Sequence, residues 1–302
     1  MDTKSILEIA SERLLEMPGH VFNILSVEKP ESLDMAMNLS RIVSKLSPLV
    51  GNLIEFNTVE FLNKDEAFNG KGEWKRQDPG FPDTIFESDI YPTPGFEVKA
   101  WFPLATEITG RFKDSQSHFL EDQTYVTLIA WLPENIIYGK PKVLDILVVS
   151  GMSVAKARDL HYHNPPDYLV LEPQDTKDRT RNLQQTNTSG YKIQLPSNPK
   201  LREETIRAAE AMVESWGGGA KVYSTSPEYQ QMLKTLQNSF IYRLDTNFAK
   251  MGRIVHEEIN AFERRVYNME YKGKTIGEWN RLLNGKSEED ILTALRENLQ
   301  IE

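Results

Sequence analysis

Apolar residues recur along this chain in two rhythms, that of helices and that of strands. Ile6, Ile9 and Leu14 fall at helical spacing, and Ser5 is followed three residues later by Glu8, a capping-box pattern. A helix is predicted over residues 5–17. A second is expected over 31–46, where Leu33, Met37, Ile42 and Leu46 lie on or near one face. Ser47 and Pro48 then restart a helix, serine as the cap and proline in the first turn, and it carries Gly51, Glu55 and Phe56. Residues 63–82 are polar, contain Gly70, Gly72, Pro79 and Gly80, and read as a loop. Strands follow at 84–90, 96–102, 125–132 and 143–149. Helices are predicted at 152–160, 201–216, 227–237, 246–266 and 288–299. Strands set between two groups of helices predict an α/β or α+β fold, a central mixed sheet flanked by helices. The polar stretch 110–124 is expected as a loop.

One strand carries the candidate chemistry. Phe96, Val98 and Ala100 alternate with Glu97, Lys99 and Trp101, so Glu97 and Lys99 share a face. The turn Pro92-Thr93-Pro94-Gly95 is expected to fold Asp89 back beside them. Two carboxylates and an ammonium at one point suit a hard cation and an activated water. A Glu-x-Lys tripeptide alone more often marks a solvated strand face. Asp83, preceded by Pro82, competes with Asp89 for the second carboxylate; the turn beside Asp89 favours the latter.

With its internal Pro/Gly turn, Asp89-x7-Glu97-x-Lys99 resembles the PD-(D/E)xK nuclease superfamily, in particular the branch of MutH-like mismatch-repair endonucleases and Sau3AI-like type II restriction enzymes. The likeness extends to residues 49–56, whose Gly51 and Glu55 sit four apart, and to the strands at 125–132 and 143–149. It continues in Ser189-Gly190-Tyr191-Lys192-Ile193-Gln194 and in Phe240-Ile241-Tyr242-Arg243 with Asn247-Phe248. It spans about residues 40–255. A lysine that this family often places eight residues before the helical glutamate is here Ser47, with Lys45 nearby.

The resemblance implies a restriction-endonuclease-like core and a Mg²⁺ held by Asp89, Glu97 and the backbone carbonyl of Val98. It assigns Lys99 to the attacking water and Glu55 to assist. DNA contacts would come from Lys177, Arg179, Arg181, Gln185, Asn187, Ser189, Tyr191 and Lys192, and from Tyr242 and Arg243. The implied activity is that of a type II restriction endonuclease cutting double-stranded DNA as a homodimer, with a cognate DNA methyltransferase as its counterpart. A MutH-type nickase of hemimethylated DNA is the runner-up. A non-catalytic DNA-binding module is less favoured, because Asp, Glu and Lys are all present. Residues 1–270 would form the nuclease domain, with a recognition segment near 176–255, and 271–302 a helical extension of it.

Composition changes this picture at a few points. The 302 residues include no cysteine, which excludes disulfides, thiolate nucleophiles and cysteine-bound metals. No apolar run approaches the ~20 residues of a membrane span, and the first residues lack a signal-peptide pattern, so a cytoplasmic protein is expected. The net charge of −9 argues mildly against nucleic acid. Locally, however, Lys177, Arg179, Arg181, Lys192, Lys200 and Arg202 face only Asp178 within residues 177–202. Gly285-Lys286-Ser287 fails as a phosphate loop, since Asn280 stands where the first glycine is needed, and His161-x-His163 before Asn164-Pro165 reads as a turn.

Overall fold

Five strands form a mixed sheet in the order β1 (Glu73–Arg76), β2 (Thr84–Glu87), β3 (Gly95–Trp101), β4 (Thr124–Asn135) and β5 (Tyr138–Ser150). β3 runs parallel to β4 and the other pairings are antiparallel. This computed structural model describes all residues except 24, 78–79, 106, 109–121, 164–167, 172–190, 195–197, 216–225, 229–230, 232–234, 236–238, 240–241, 244–250, 252–253 and 302. For residues 158–163, 168–171, 191–194, 213 and 242–243 the backbone alone is described.

Two units are distinguished: Met1–Gly110, Asp114–Arg158 and Met251–Glu302 in the first, Arg111–Lys113 and Asp159–Lys250 in the second. Most of the recognition segment expected near 176–255 lies within the second unit. The C-terminal residues belong to the first unit.

Helices cover the five-stranded sheet. Of the helices α1 (Thr3–Leu14), α2 (Leu33–Ile42) and α3 (Ser47–Leu62), α3 packs on β3 and β1, and α1 packs on α3 and β5. A later helix, Glu257–Asn268, lies on β5, and its Phe262 and Tyr267 rings meet Trp101 at 5.9 and 5.3 Å. Phe96, Val98 and Trp101 are all buried, so β3 is covered on both faces. Large apolar side chains withdrawn from water, each worth roughly 1.5–3 kcal/mol, hold the layers together.

Within the first unit, the terminal helices Ile276–Leu283 and Glu288–Leu299 pack on the helices Glu257–Asn268 and Leu33–Ile42 respectively. Trp279 is fully buried and donates to the Tyr271 carbonyl at 2.7 Å, and Asn280 donates to the Pro103 carbonyl at 2.6 Å. Asn280, the residue that breaks the phosphate-loop pattern, ties the end of β3 to the C-terminal helices.

The expected loop at 63–82 contains β1. Trp74 anchors it, its ring 5.8 Å from Phe68 edge-on and 5.2 Å from each of the tilted Phe86 and Phe96 rings. Its polar neighbours Glu73, Lys75 and Arg76 hide the strand from a hydrophobicity reading. Of the helix expected over 246–266, residues 246–250 and 252–253 lie outside the described residues; a helix is described from Glu257, where His256 is extended and its ring accepts the Ile259 amide. The run 31–46 splits into Leu33–Ile42 and a 3₁₀ turn, Val43–Leu46, that leads into α3.

In the second unit, strands Tyr168–Leu171 (β6), Tyr191–Gln194 (β7) and Tyr242–Arg243 (β8) form a three-stranded antiparallel sheet in the order β6-β7-β8. The helix Pro199–Ser215 follows β7. Among the described residues, no helix is long and apolar enough to cross a membrane.

Candidate active site

The register of the β2–β3 hairpin decides which carboxylate meets Glu97. Thr84 pairs with Phe96 and Ile85 with Gly95, so the next residue outward, Asp83, lies across from Glu97. Gly95 makes this approach possible: a Cβ there would stand 2.4 Å from Pro82 Cγ and 2.8 Å from the Thr84 carbonyl oxygen. Gln77, just past β1, holds the entering segment: its amide donates to the Asp83 carbonyl at 2.8 Å and its side chain to the Pro82 carbonyl at 3.0 Å.

Asp83 is locked against β3. Its Oδ2 accepts the Val98 amide at 2.8 Å and the Lys99 ammonium at 3.1 Å. Its own amide donates to Glu97 Oε2 at 3.3 Å. Lys99 Nζ also lies 2.6 Å from Glu97 Oε1 and 3.1 Å from the Val98 carbonyl oxygen. Three oxygens from Asp83, Glu97 and Val98 therefore surround a single ammonium.

Burial sets the electrostatics. Glu97 is 8% exposed, and loss of water pushes its carboxyl up to about 7. The Lys99 charge pulls it down and the Asp83 charge pushes it further up. Burial works against the Lys99 charge, but Glu97 and Asp83 outweigh that and hold its pKa above the ordinary lysine value. Glu55 comes in from α3, with Oε2 3.3 Å from an Arg76 guanidinium nitrogen. Burial first, then the nearby Asp83 charge, raises its carboxyl, while Lys99 and Arg76 oppose that rise. Helix α3 approaches with Gly51 over Ala100, where a Cβ would meet the Ala100 Cβ at an ordinary 3.8 Å.

The sequence-predicted residues thus divide. Glu97, Val98, Lys99 and Glu55 come together. Asp89, expected as the metal carboxylate, does not join them: it is exposed, in the 88–94 connection at the other end of the hairpin from the Asp83–Glu97 pair. Its nearness to the turn, which suggested it, is what separates it from Glu97. The literal Pro82-Asp83 signal marked the residue that is present.

Of the expected DNA contacts, Lys177, Arg179, Arg181, Gln185, Asn187 and Ser189 lie outside the described residues, as does most of the loop expected at 110–124. Tyr191 and Lys192 lie on β7, and Tyr242 and Arg243 form β8. The backbone pairs Lys192 with Arg243 and Ile193 with Tyr242. Two segments far apart in sequence become neighbouring strands.

A serine–histidine pair escaped the sequence reading. Ser153 Oγ is 3.1 Å from His256 Nε2 and donates to the Ser150 carbonyl at 2.8 Å. His256 Nδ1 accepts the Ile259 amide, which assigns the ring proton to Nε2 and points it at Ser153. The pair is wired to cap a helix, with no base free to activate the hydroxyl.

Among the described residues, no three His, Asp or Glu side chains are grouped to hold a metal ion. The donor set at Lys99 is instead two carboxylates and a backbone carbonyl. Set beside known proteins, the chain matches no family model, no curated protein and no solved structure.

Proposed function

We propose that this chain is a Mg²⁺-dependent endonuclease of double-stranded DNA, built on a restriction-endonuclease-like core and acting as a type II restriction enzyme. The observation that carries this reading is the ring of oxygens around Lys99 Nζ: Asp83 Oδ2 at 3.1 Å, Glu97 Oε1 at 2.6 Å and the Val98 carbonyl at 3.1 Å. A site that gathers three oxygens on one cation has the donor chemistry of a hard divalent ion. Asp83, Glu97 and the Val98 carbonyl would hold Mg²⁺, with Asp83 in the role first expected of Asp89.

When bound, the ion would polarise the scissile phosphate and acidify a coordinated water. Lys99, freed from the carboxylates, would orient the attacking water and balance the charge gathering on the phosphoryl oxygens. Glu97, with its carboxyl near 7, would exchange its proton for the ion. Glu55, held by Arg76 and electrostatically linked to Asp83 and Lys99, would orient further water.

The pairing of Lys192 with Arg243 supports a DNA-reading role for the second unit, since it sets side by side two segments, far apart in sequence, that the resemblance assigned to DNA contact. The test is incubation of supercoiled plasmid with the protein, with Mg²⁺ and with EDTA. Mg²⁺-dependent linear product is expected. Open circles alone would turn the reading to a nickase, and intact plasmid bound by the protein would turn it to a binding module.

A further inference from the structure

Helix α3 is apolar on two sides. Val50, Ile54 and Leu62 are buried against the sheet, yet Leu49 and Phe56 are 51% and 50% exposed. A helix apolar on both faces normally has a partner on each. The exposed stripe has an order. Lys45, Leu49, Asn52, Phe56 and Glu60 are all exposed and follow one another at i, i+4, i+7, i+11 and i+15, a single helical face. Lys45 sits in the 3₁₀ turn Val43–Leu46, and Leu46 and Ser47 keep right-handed helical backbone into α3. Among the described residues, neither Lys45 nor Glu60 forms an ion pair or side-chain hydrogen bond within the chain.

That order reads the same in both directions with the charges exchanged. Lys45 and Glu60, Leu49 and Phe56, and Asn52 and Leu53 each lie symmetrically about the point between Asn52 and Leu53. An isologous two-fold contact requires a surface complementary to itself. Two copies of α3 laid antiparallel about that point would set each Leu49 on the other copy's Phe56. Each Lys45 would meet the other copy's Glu60, at both ends. A stripe meant for solvent has no reason to place opposite charges at equal distances outside Leu49 and Phe56, and one meant for DNA would not carry Glu60; at the centre, exposed Asn52 accepts from the Arg76 guanidinium at 3.5 Å. Ile42, 58% exposed just before the stripe, extends the apolar surface toward the roughly 1,000 Å² a stable contact needs.

We infer that the outer face of α3 is a homodimer interface in which two copies pack antiparallel about the Asn52–Leu53 point. This does not depend on the nuclease reading, since its readout is oligomeric state. Were both correct, the helix bearing Glu55 would also carry the subunit contact.

The experiment is sedimentation analysis of the full chain up to about 100 μM, in the range of weak interfaces, with circular dichroism to confirm folding. The wild type is expected to dimerise, and Phe56→Glu to weaken the dimer at least about 100-fold by burying two charges in the contact. Lys45→Glu and Glu60→Lys each set like charges together twice, and each should weaken it about tenfold. The double variant Lys45→Glu/Glu60→Lys restores the opposite-charge pairs and should dimerise like the wild type. A monomer throughout, a dimer indifferent to Phe56→Glu, or a double variant no better than the singles would overturn the inference. The rescue arm keeps the test decisive even if Phe56→Glu disturbs folding.

Discussion

The backbone amide of Val98 donates to Asp83 Oδ2 at 2.8 Å, tying a carboxylate at the end of one strand to the middle of the next. The same oxygen takes the Lys99 ammonium at 3.1 Å. Asp83 is thus fixed between the two charged residues of β3 by a bond to the peptide that separates them. A side chain held by its neighbour's backbone loses little further freedom on binding a ligand, which is the preorganisation an electrostatic site needs.

The first prediction contrasts the two aspartates. Asp83→Asn should lower Mg²⁺-dependent plasmid cleavage at least about 100-fold, the order found when one electrostatic stabiliser is removed. Asp89→Asn should cleave like the parent, because Asp89 is exposed in the 88–94 connection. The reverse pattern would mean that the hairpin register is not the one in the active enzyme.

Glu97 should make stability depend on pH. Its folded-state pKa of about 7 is above the ordinary carboxylate value of 4.5, so it favours the fold while protonated. That contribution is fully present below the unfolded-state pKa and is lost as pH rises through about 7. In urea unfolding with EDTA, Glu97→Gln should gain on the wild type by on the order of 3 kcal/mol between pH ~5 and pH ~8. A constant difference across that range would show an unperturbed Glu97.

Metal binding should release protons, since Mg²⁺ and a proton compete for the same carboxyl. Calorimetric titration in two buffers of different ionisation enthalpy counts them. Release is expected to be greater at pH ~6 than at pH ~8.5, and to vanish in Glu97→Gln. Equal release at both values would place the ion away from Glu97.

The two glycines flanking the site should behave oppositely. Gly51→Ala meets only an ordinary contact with Ala100, and should stabilise the protein by up to about 1 kcal/mol by reducing unfolded-state freedom. Gly95→Ala would drive a methyl into Pro82 and the Thr84 carbonyl, and should cost both stability and cleavage. Thermal melts of the two variants check this directly; equal melting points would contradict the close approach at Gly95.

The β7–β8 pair offers a last prediction. If this sheet grips DNA, Lys192→Ala and Arg243→Ala should each weaken binding to every duplex and lower the salt slope by about one, as for lost phosphate contacts. Loss confined to one sequence would instead mark base reading. Unchanged affinity in both would remove the sheet from the interface.

Periodicity alone placed most elements of the first unit, because apolar side chains must alternate in strands and recur every third or fourth residue in helices. The terminal helix Glu288–Leu299 coincides with its predicted range, and β3 with its Glu97 and Lys99 differs from its own by one residue at each end. β1 was illegible: three of its four residues are polar, and Trp74 becomes a strand residue only by packing its ring against Phe68, Phe86 and Phe96. The choice between Asp83 and Asp89 was open for the same reason. Distance along the chain favoured the residue beside the turn. Only antiparallel pairing, which sets Thr84 against Phe96, turns a separation of fourteen residues into a contact. A sequence specifies which side chains carry charge and which face they share; hydrogen-bond register between strands decides which of those charges meet.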